Sequence, residues 1–164
     1  MNYLDAISLG LKKATDSEIA RQEVDNVFEV INSELRSFPD GAIYLKRAQI
    51  TLASSKLINA IAAATFGMPT IANASISPAP SSVREKFMPE RQLELCLAAK
   101  GQELRSTVAD WEQSADGYPC TLKFEGSSIS CFSSVELESA IKELLSSVTL
   151  GEALKSLLKR ASAL

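Results

Sequence analysis

The chain has 164 residues, of which 46% are hydrophobic and 23% charged, and its formal net charge is −3. This is the composition of a globular protein, and it argues against a disordered chain and against a membrane protein. Basic residues are scattered and form no stripe, which disfavours nucleic acid as a partner. The first residues lack the features of a secretory signal, so we expect a small acidic protein of bacterial type, located in the cytoplasm with reduced thiols.

Two helices are predicted ahead of a turn at Pro39-Asp40-Gly41. The first covers residues 3–14. The second carries apolar residues at helical spacing from Ile19 to Phe38 and begins at a capping box, in which Thr15 and Glu18 satisfy free amide groups of the first turn. The regular apolar stripe of this second helix predicts that one face is buried.

Residues 42–53 are predicted to form a strand. Its apolar side chains change face part of the way along, so we expect a β-bulge near Lys46 and Arg47. An alanine-rich helix is predicted between this strand and Gly67. Residues 70–82 contain several Pro and Ser residues and are predicted to form an exposed loop.

Residues 90–113 show two competing periods. The alternation of a strand is present at Leu93, Leu95, Leu97 and Ala99, and the 3.6-residue period of a helix at Leu93, Leu97, Leu104, Val108 and Trp111. We favour a helix because Pro89 suits a first helical position and the segment is rich in helix-forming residues. A pair of strands is the alternative. On the helix, Leu104, Val108 and Trp111 share one face, which makes them candidate core or interface residues.

The C-terminal third is predicted as a β-hairpin at 119–132 followed by two amphipathic helices, at 135–147 and 150–163. Capping-box patterns precede both helices and one earlier segment, at Ser133 and Glu136, at Thr149 and Glu152, and at Ser82 and Glu85. The predicted fold class is therefore α+β. It is a predominantly helical single domain, 1–164, in which a small antiparallel β element packs among amphipathic helices.

The chain contains no histidine, which is the commonest general base and a frequent metal ligand. Catalysis by a Ser-His-Asp or a Cys-His arrangement within this chain is therefore excluded, and a catalytic zinc site is disfavoured. Neither of the standard glycine-rich phosphate-binding motifs occurs. We expect no cofactor and no metal, and we assign no catalytic residue.

Cys120 and Cys131 are the one local feature with testable chemistry. If Glu125-Gly126 is a two-residue turn, the two cysteines oppose each other across the hairpin. Glutamate does not favour the positive φ of such a turn, so a longer loop with shifted pairing is the alternative. Buried free thiols are the favoured interpretation. The others are a redox pair that forms a reversible disulfide and a thiolate metal site that includes Cys96.

Function then follows by elimination. The hypothesis is a non-catalytic protein-interaction protein, such as an accessory subunit, an inhibitor or immunity-type protein, or an assembly chaperone, with a protein partner or a homo-oligomer such as a homodimer. The alternative is a small-ligand binder or an enzyme that uses carboxylate or cysteine chemistry. A flat apolar patch would support the first, and a deep polar pocket that contains Cys, Asp or Glu would support the second.

Overall fold

The computed structural model describes residues 2–49 and 90–164. In chain order the elements are helix α1 (Tyr3–Leu35), strands β1 (Ala42–Ala48), β2 (Gln92–Ala99), β3 (Gln102–Gln113), β4 (Cys120–Phe124) and β5 (Ser127–Cys131), and helices α2 (Ser134–Leu145) and α3 (Val148–Ser162).

The five strands form one antiparallel sheet in the order β1-β2-β3-β4-β5, so every strand pairs with its neighbours in sequence. Helices hold 49% of the described residues and strands hold 30%. The prediction of a predominantly helical domain with a small β element is therefore wrong. The chain has a mixed α+β fold in which a five-stranded sheet contributes a large part of the core.

The largest error concerns residues 90–113, which form the β2–β3 hairpin and not a helix. Leu93, Leu95 and Leu97 are buried on the inner face of β2, so the alternating period is the one that the chain follows. The two strands join through Lys100-Gly101, where φ is +49° and +77°. Positive φ at both positions is what a two-residue turn of type I′ requires.

A β-bulge in β3 explains the misleading helical period. The register shifts at Val108, which is an extra residue in β3, and both Val108 and Ala109 are buried. The bulge reverses the alternation, so Leu104 points inward before it and Trp111 points inward after it. Leu104, Val108 and Trp111 are therefore buried at a spacing of four and then three residues. This is the spacing of a helix face, although the backbone of β3 is extended.

The strand predicted at 42–53 is present as β1, which ends at Ala48. The bulge predicted near Lys46 and Arg47 is wrong, because β1 pairs with β2 without a shift of register. Its two inward apolar residues, Ile43 and Leu45, are buried as the alternation requires.

The core lies between the helices and one face of the sheet. Phe28 of α1 meets Trp111 of β3 edge to face, with ring centroids 5.3 Å apart and ring planes at 86°. The buried residues of the last two helices are Leu137, Ala140, Ile141 and Leu144 in α2 and Leu150, Ala153 and Leu157 in α3. Among the buried hydrophobic residues of the described chain, Cys96 alone lies outside this core, because it points to the opposite face of the sheet.

Helix α1 is continuous over 33 residues, so the predicted boundary between two helices near Ala14 is wrong. Thr15 caps no helix, because its hydroxyl donates a hydrogen bond to the Leu11 carbonyl oxygen, 3.1 Å away. The capping box of α1 is formed by Asn2 and Asp5 instead.

The sequence predicts the N-cap residue of α2 correctly but not that of α3. Ser133 caps α2 as predicted, but the Glu136 carboxylate accepts a hydrogen bond from the Phe132 N–H and not from Ser133, so only half of the predicted capping box is present. α3 begins at Val148 with Ser147 as its cap, so the cap predicted at Thr149 is wrong. The N–H and hydroxyl of Thr149 donate instead to the Glu125 carboxylate, at 2.9 and 3.1 Å.

Some predictions lie outside the described residues. They are the end of the 42–53 strand, the alanine-rich helix before Gly67, the loop at 70–82 and the cap at Ser82 and Glu85. The single domain over 1–164 likewise stays a prediction. Within the part of the chain that the structure describes, no helix is both long and apolar enough to cross a membrane.

Candidate interaction surface

The first half of α1 is exposed, although at its end Lys13 and Asp16 border a shallow depression that Asp116 also lines. Every residue from Tyr3 to Asp16 is exposed, and the first buried residue of the helix is Val24. At about 1.5 Å of rise per residue, this segment is roughly 20 Å long. We call residues 3–16 the α1 overhang.

An apolar stripe runs along one side of the α1 overhang. It consists of Leu4, Ile7, Leu11 and Ala14, spaced by three, four and three residues, and we call these four residues the seam. Leu4, Ile7 and Leu11 are 73%, 60% and 67% exposed. Spacing of this kind is typical of a helix that packs lengthwise against another helix.

The other side of the α1 overhang is polar. It carries the charged residues Asp5, Lys12, Lys13 and Asp16, and Leu9 is the large apolar residue among them, at 42% exposure. The overhang is therefore amphipathic, but its apolar side faces solvent instead of the core.

Gly10 lies inside the α1 overhang. A glycine within a helix costs about 1 kcal/mol of stability relative to alanine. A Cβ added at Gly10 would meet no atom within 4 Å, so no close contact with the described residues explains why glycine stands there.

A separate polar cluster lies on the outer face of the sheet and centres on Glu103. Its carboxylate pairs with Arg105 at 3.0 Å and Lys46 at 3.8 Å, and it accepts hydrogen bonds from Cys96 and Tyr44. Burial opposes ionisation, but these four partners outweigh it and hold the pKa of Glu103 below its usual value. With four partners already in place, this carboxylate is poorly suited to accept a proton from a substrate.

Cys96 is fully buried within this cluster. Burial, followed by the hydrogen bond and charge of Glu103, raises the pKa of the Cys96 thiol to about 12. Burial and then the neighbouring Cys96 also raise the pKa of Tyr44. A protonated, inaccessible thiol is a poor nucleophile, so the cluster joins three strands and offers no reactive group.

The hairpin carries Cys120 and Cys131 in the predicted register. Cys120 pairs with Cys131, and φ is +49° at Glu125 and +77° at Gly126, so the two-residue turn is confirmed. The Glu125 carboxylate accepts two hydrogen bonds from Thr149 at the start of α3. These bonds offset the preference of glutamate against a positive φ.

Both cysteines of the hairpin are fully buried in the core and are free thiols. The Cys120 thiol donates to the Gly117 carbonyl oxygen, 3.3 Å away, and burial followed by the nearby Cys131 raises its pKa to about 12. Burial, followed by the charge of Glu136, raises the pKa of Cys131. A redox role for the pair stays a prediction.

The three cysteines do not converge on one site. Cys96 lies on the outer face of the sheet, whereas Cys120 and Cys131 lie on the inner face. Within residues 2–49 and 90–164, no group of three or more Cys, Asp or Glu side chains is placed to hold a metal ion.

The proposed interface residues Leu104, Val108 and Trp111 lie on β3 and point into the core. Trp111 is 1% exposed, and its indole N–H has no hydrogen-bond partner among residues 2–49 and 90–164. These side chains therefore pack between the sheet and the helices. The exposed large apolar side chains lie elsewhere, most of them along the α1 overhang and at Phe132, Val135 and Val148.

Sequence reasoning missed the seam although its signal is legible. The spacing of Leu4, Ile7 and Leu11 repeats by three and four residues, which is a helix-pairing pattern. The pattern alone does not say whether the stripe packs against this chain's own core, and it is the exposure of Leu4, Ile7 and Leu11 that shows that the described core does not cover it.

Surface depressions in the described part of the chain are shallow. One of about 400 Å³ lies beside the β4–β5 turn, and another of about 260 Å³ lies between α1 and the start of α2. Neither is lined by a cysteine, but carboxylates line both, Asp110 and Glu125 in the first and Asp16 and Glu23 in the second. No family model, curated protein or solved structure matches the chain.

Proposed function

We propose that this protein is a non-catalytic interaction protein of the cytoplasm that binds another polypeptide along the seam of the α1 overhang. The observation that carries the proposal is the exposure of Leu4, Ile7 and Leu11 on a helix segment whose residues are all exposed. Apolar side chains in such a row are stabilised when a partner removes them from water.

The length of the overhang supports the same conclusion. A helix of fewer than about 15 residues without tertiary contacts is marginally stable in water. Residues 3–16 extend the packed part of the 33-residue α1 and so avoid the cost of starting a helix, but they contain no buried residue, and Gly10 weakens this segment. A partner along the seam supplies the packing that this helix segment does not receive from residues 17–49 and 90–164.

The state of the thiols favours this proposal over cysteine chemistry. A cysteine enzyme needs an accessible thiolate, and Cys96, Cys120 and Cys131 are all fully buried with raised pKa values. An accessory subunit, an inhibitor and an assembly chaperone all act by binding, so each is compatible with the seam.

Photo-crosslinking in the native cell tests the proposal. A photoreactive amino acid at Ser8, beside the seam, is expected to give discrete protein adducts, whereas the same amino acid at Leu9, on the polar side, is expected to give few. Adding the substitutions Ile7→Glu and Leu11→Glu should abolish the Ser8 adducts. Equal adducts from both positions, or none from Ser8, would contradict the proposal.

The matched control for the glutamate substitutions is Leu9→Glu, which places the same charge on the same helix but on the other side. All three positions are exposed, so we expect none of these substitutions to change the free energy of unfolding of the core by more than about 0.5 kcal/mol. Urea unfolding monitored by Trp111 fluorescence checks that the variants remain folded.

A further inference from the structure

We infer that the free edge of β5 pairs with the same edge of a second copy of this chain, so that two antiparallel β5 strands join two sheets into one. This surface is separate from the seam, and the inference therefore goes beyond the proposed function and does not depend on it. Three features of β5 point to this partner: its unpaired main-chain groups, their symmetry, and the absence of charge along the strand.

β5 is the last strand of the sheet, with β4 on one side and no described strand on the other. The turn at Glu125-Gly126 closes on Phe124 and Ser127, and in a two-residue turn this pair exchanges both main-chain hydrogen bonds. Bonded and non-bonded pairs then alternate, so the N–H and C=O groups of Ser128 and Ser130 point away from β4. Within the part of the chain that the structure describes, these four groups have no hydrogen-bond partner.

Other main-chain groups at the edges of the sheet are covered by side chains. On the opposite edge, the side-chain amide of Asn32 bonds to both the N–H and the C=O of Leu45 in β1. On the β5 edge, the N–H of Phe132 donates to the Glu136 carboxylate, 2.6 Å away. A side chain that satisfies an edge group prevents another strand from pairing there. The run that ends at Ser130 has no such cover.

β5 also lacks features that commonly protect an open edge. Its five residues, Ser127–Cys131, include no charged residue and no proline, and its pairing with β4 contains no bulge. Ser128 and Ser130 are exposed and Ile129 is partly buried, so the run is accessible to another strand. Unpaired N–H and C=O groups in a row are complementary to the backbone of an extended chain.

The unpaired groups are symmetric about Ile129, which favours a second copy as that chain. A two-fold axis at Ile129 places Ser128 of each copy opposite Ser130 of the other, as a hydrogen-bonded pair. Each of these two pairs exchanges two hydrogen bonds, so the four unpaired groups of each copy are all used. Because Asn32 covers the β1 edge, the association closes at two copies.

The side chains of the run also suit a pair of identical strands. Near a two-fold axis each residue meets a like residue, so a charge on the run would repel its counterpart. The run instead brings Ser128 opposite Ser130, which are small and uncharged and exchange hydrogen bonds readily. Ile129 meets its counterpart in a non-hydrogen-bonded pair, where side chains are closer, and burial of the exposed parts of both favours association.

The inferred interface is small. Four hydrogen bonds and one pair of isoleucines bury much less than the roughly 800 Å² per partner that is common in stable complexes. We therefore expect a weak dimer whose population rises with protein concentration.

Charge substitutions at the two serines test the pairing, measured by sedimentation velocity over a range of concentrations. The unsubstituted protein should show a monomer–dimer equilibrium. Ser128→Lys with Ser130→Lys places like charges opposite each other and should weaken dimerisation at least about tenfold, and so should Ser128→Glu with Ser130→Glu. A mixture of the two double variants should dimerise again, because every lysine then faces a glutamate. This recovery also shows that both variants remain folded.

Single cysteines test the orientation and register. In the antiparallel pair, the Cα atoms of residue 128 and of residue 130 in the other copy are about 5.5 Å apart, within the usual range for a disulfide. Two copies of residue 130 are diagonal neighbours, about 7–8 Å apart. A mixture of the Ser128→Cys and Ser130→Cys variants should therefore form an intermolecular disulfide with diamide at least about fivefold faster than either variant alone. The unsubstituted protein gives the background, since its three cysteines are buried.

Three results overturn the inference: a protein that stays monomeric at the highest attainable concentration, a dimer that the double lysine variant leaves unchanged, and equal disulfide rates for the mixture and the single variants. None of them affects the proposed function, which concerns α1 and is measured by photo-crosslinks from residue 8. Ile7→Glu with Leu11→Glu on the seam should leave the edge dimer unchanged, and a dimer that these substitutions abolish would also contradict pairing through β5.

Discussion

Cys120 and Cys131 lie directly opposite each other in the β4–β5 ladder, and both side chains are completely buried. A buried thiol with a raised pKa reacts slowly with a thiol reagent, because the reagent needs both access and a thiolate. We expect the native protein, purified without oxidant, to show no fast-reacting thiol and the denatured protein to show three. A thiol titration with and without denaturant measures both values.

The Ser8→Cys variant is the control for that titration, because it should add one fast-reacting thiol to the native count. Fewer than three thiols in the denatured, unreduced protein would reveal a disulfide. The favoured interpretation of buried free thiols would then be wrong, and the redox pair would become the better description of Cys120 and Cys131.

Stability should fall in alkaline solution. The thiols of Cys96 and Cys120 have pKa values near 12 in the folded protein and 9.0 in an exposed chain. Above pH 9.0 the unfolded chain therefore binds fewer protons than the folded chain, and the free energy of unfolding decreases until about pH 12. Each such thiol contributes a slope of about 1.4 kcal/mol per pH unit.

Urea unfolding at several pH values measures this slope. Replacing Cys120 and Cys131 by alanine removes two of the three titrating thiols, so the variant should lose stability less steeply above pH 9.0 even though its stability at neutral pH is lower. An unchanged slope would show that these thiols are not protected in the folded state.

Asn32 holds β1 against α1. Its side-chain amide donates to the Leu45 carbonyl oxygen at 2.9 Å, and its amide oxygen accepts from the Leu45 N–H at 2.7 Å. Asn32→Ala leaves both partly buried backbone groups unpaired, so we expect it to lower the free energy of unfolding by about 2–3 kcal/mol. Asn26→Ala, at an exposed position of the same helix, should change it by less than about 0.5 kcal/mol. Similar losses in both variants would contradict a specific role for Asn32.

Gly117 and Gly126 separate two effects of adding a methyl group. Both have positive φ, but a Cβ at Gly117 would lie 2.5 Å from the Ala20 Cβ, whereas one at Gly126 would meet nothing within 4 Å. We expect Gly126→Ala to cost about 1–2 kcal/mol, for backbone strain alone. Gly117→Ala should cost clearly more, because α1 or the loop must also move. Equal losses on thermal or urea unfolding would mean that the contact with Ala20 relaxes freely.

The 119–132 hairpin was predictable because its information is local. Alternating side chains and the Glu125-Gly126 turn set the register within a few residues of chain. Glutamate does not favour the positive φ of this turn, but the Glu125 carboxylate accepts two hydrogen bonds from Thr149, which lies in helix α3. No short-range pattern reveals such a contact.

The β2–β3 hairpin was missed for a physical reason. The bulge at Val108 changes which side chains point inward, so a strand acquires the spacing of a helix. The turn at Lys100-Gly101 carried the better signal, since glycine next to an alternating run favours a two-residue turn. Giving that turn more weight than helix propensity would have identified the hairpin.

The predicted capping patterns show that a four-residue motif alone does not locate the start of a helix. Ser133 caps a helix, while Thr15 lies within one and Thr149 lies two residues after the true cap, Ser147. A serine or threonine followed three residues later by glutamate is common by chance, and tertiary packing decides which candidates become helix ends.

The sequential order of the sheet also bears on how the protein folds. The pairs from β2 to β5 join strands that are adjacent or close in the chain, and two of the connections are two-residue turns. β1 differs, because the chain from Gln49 to Arg91 separates it from β2, and closing a longer loop costs more entropy. We expect the β2–β5 meander to form early and β1, bound to α1 through Asn32, to dock late.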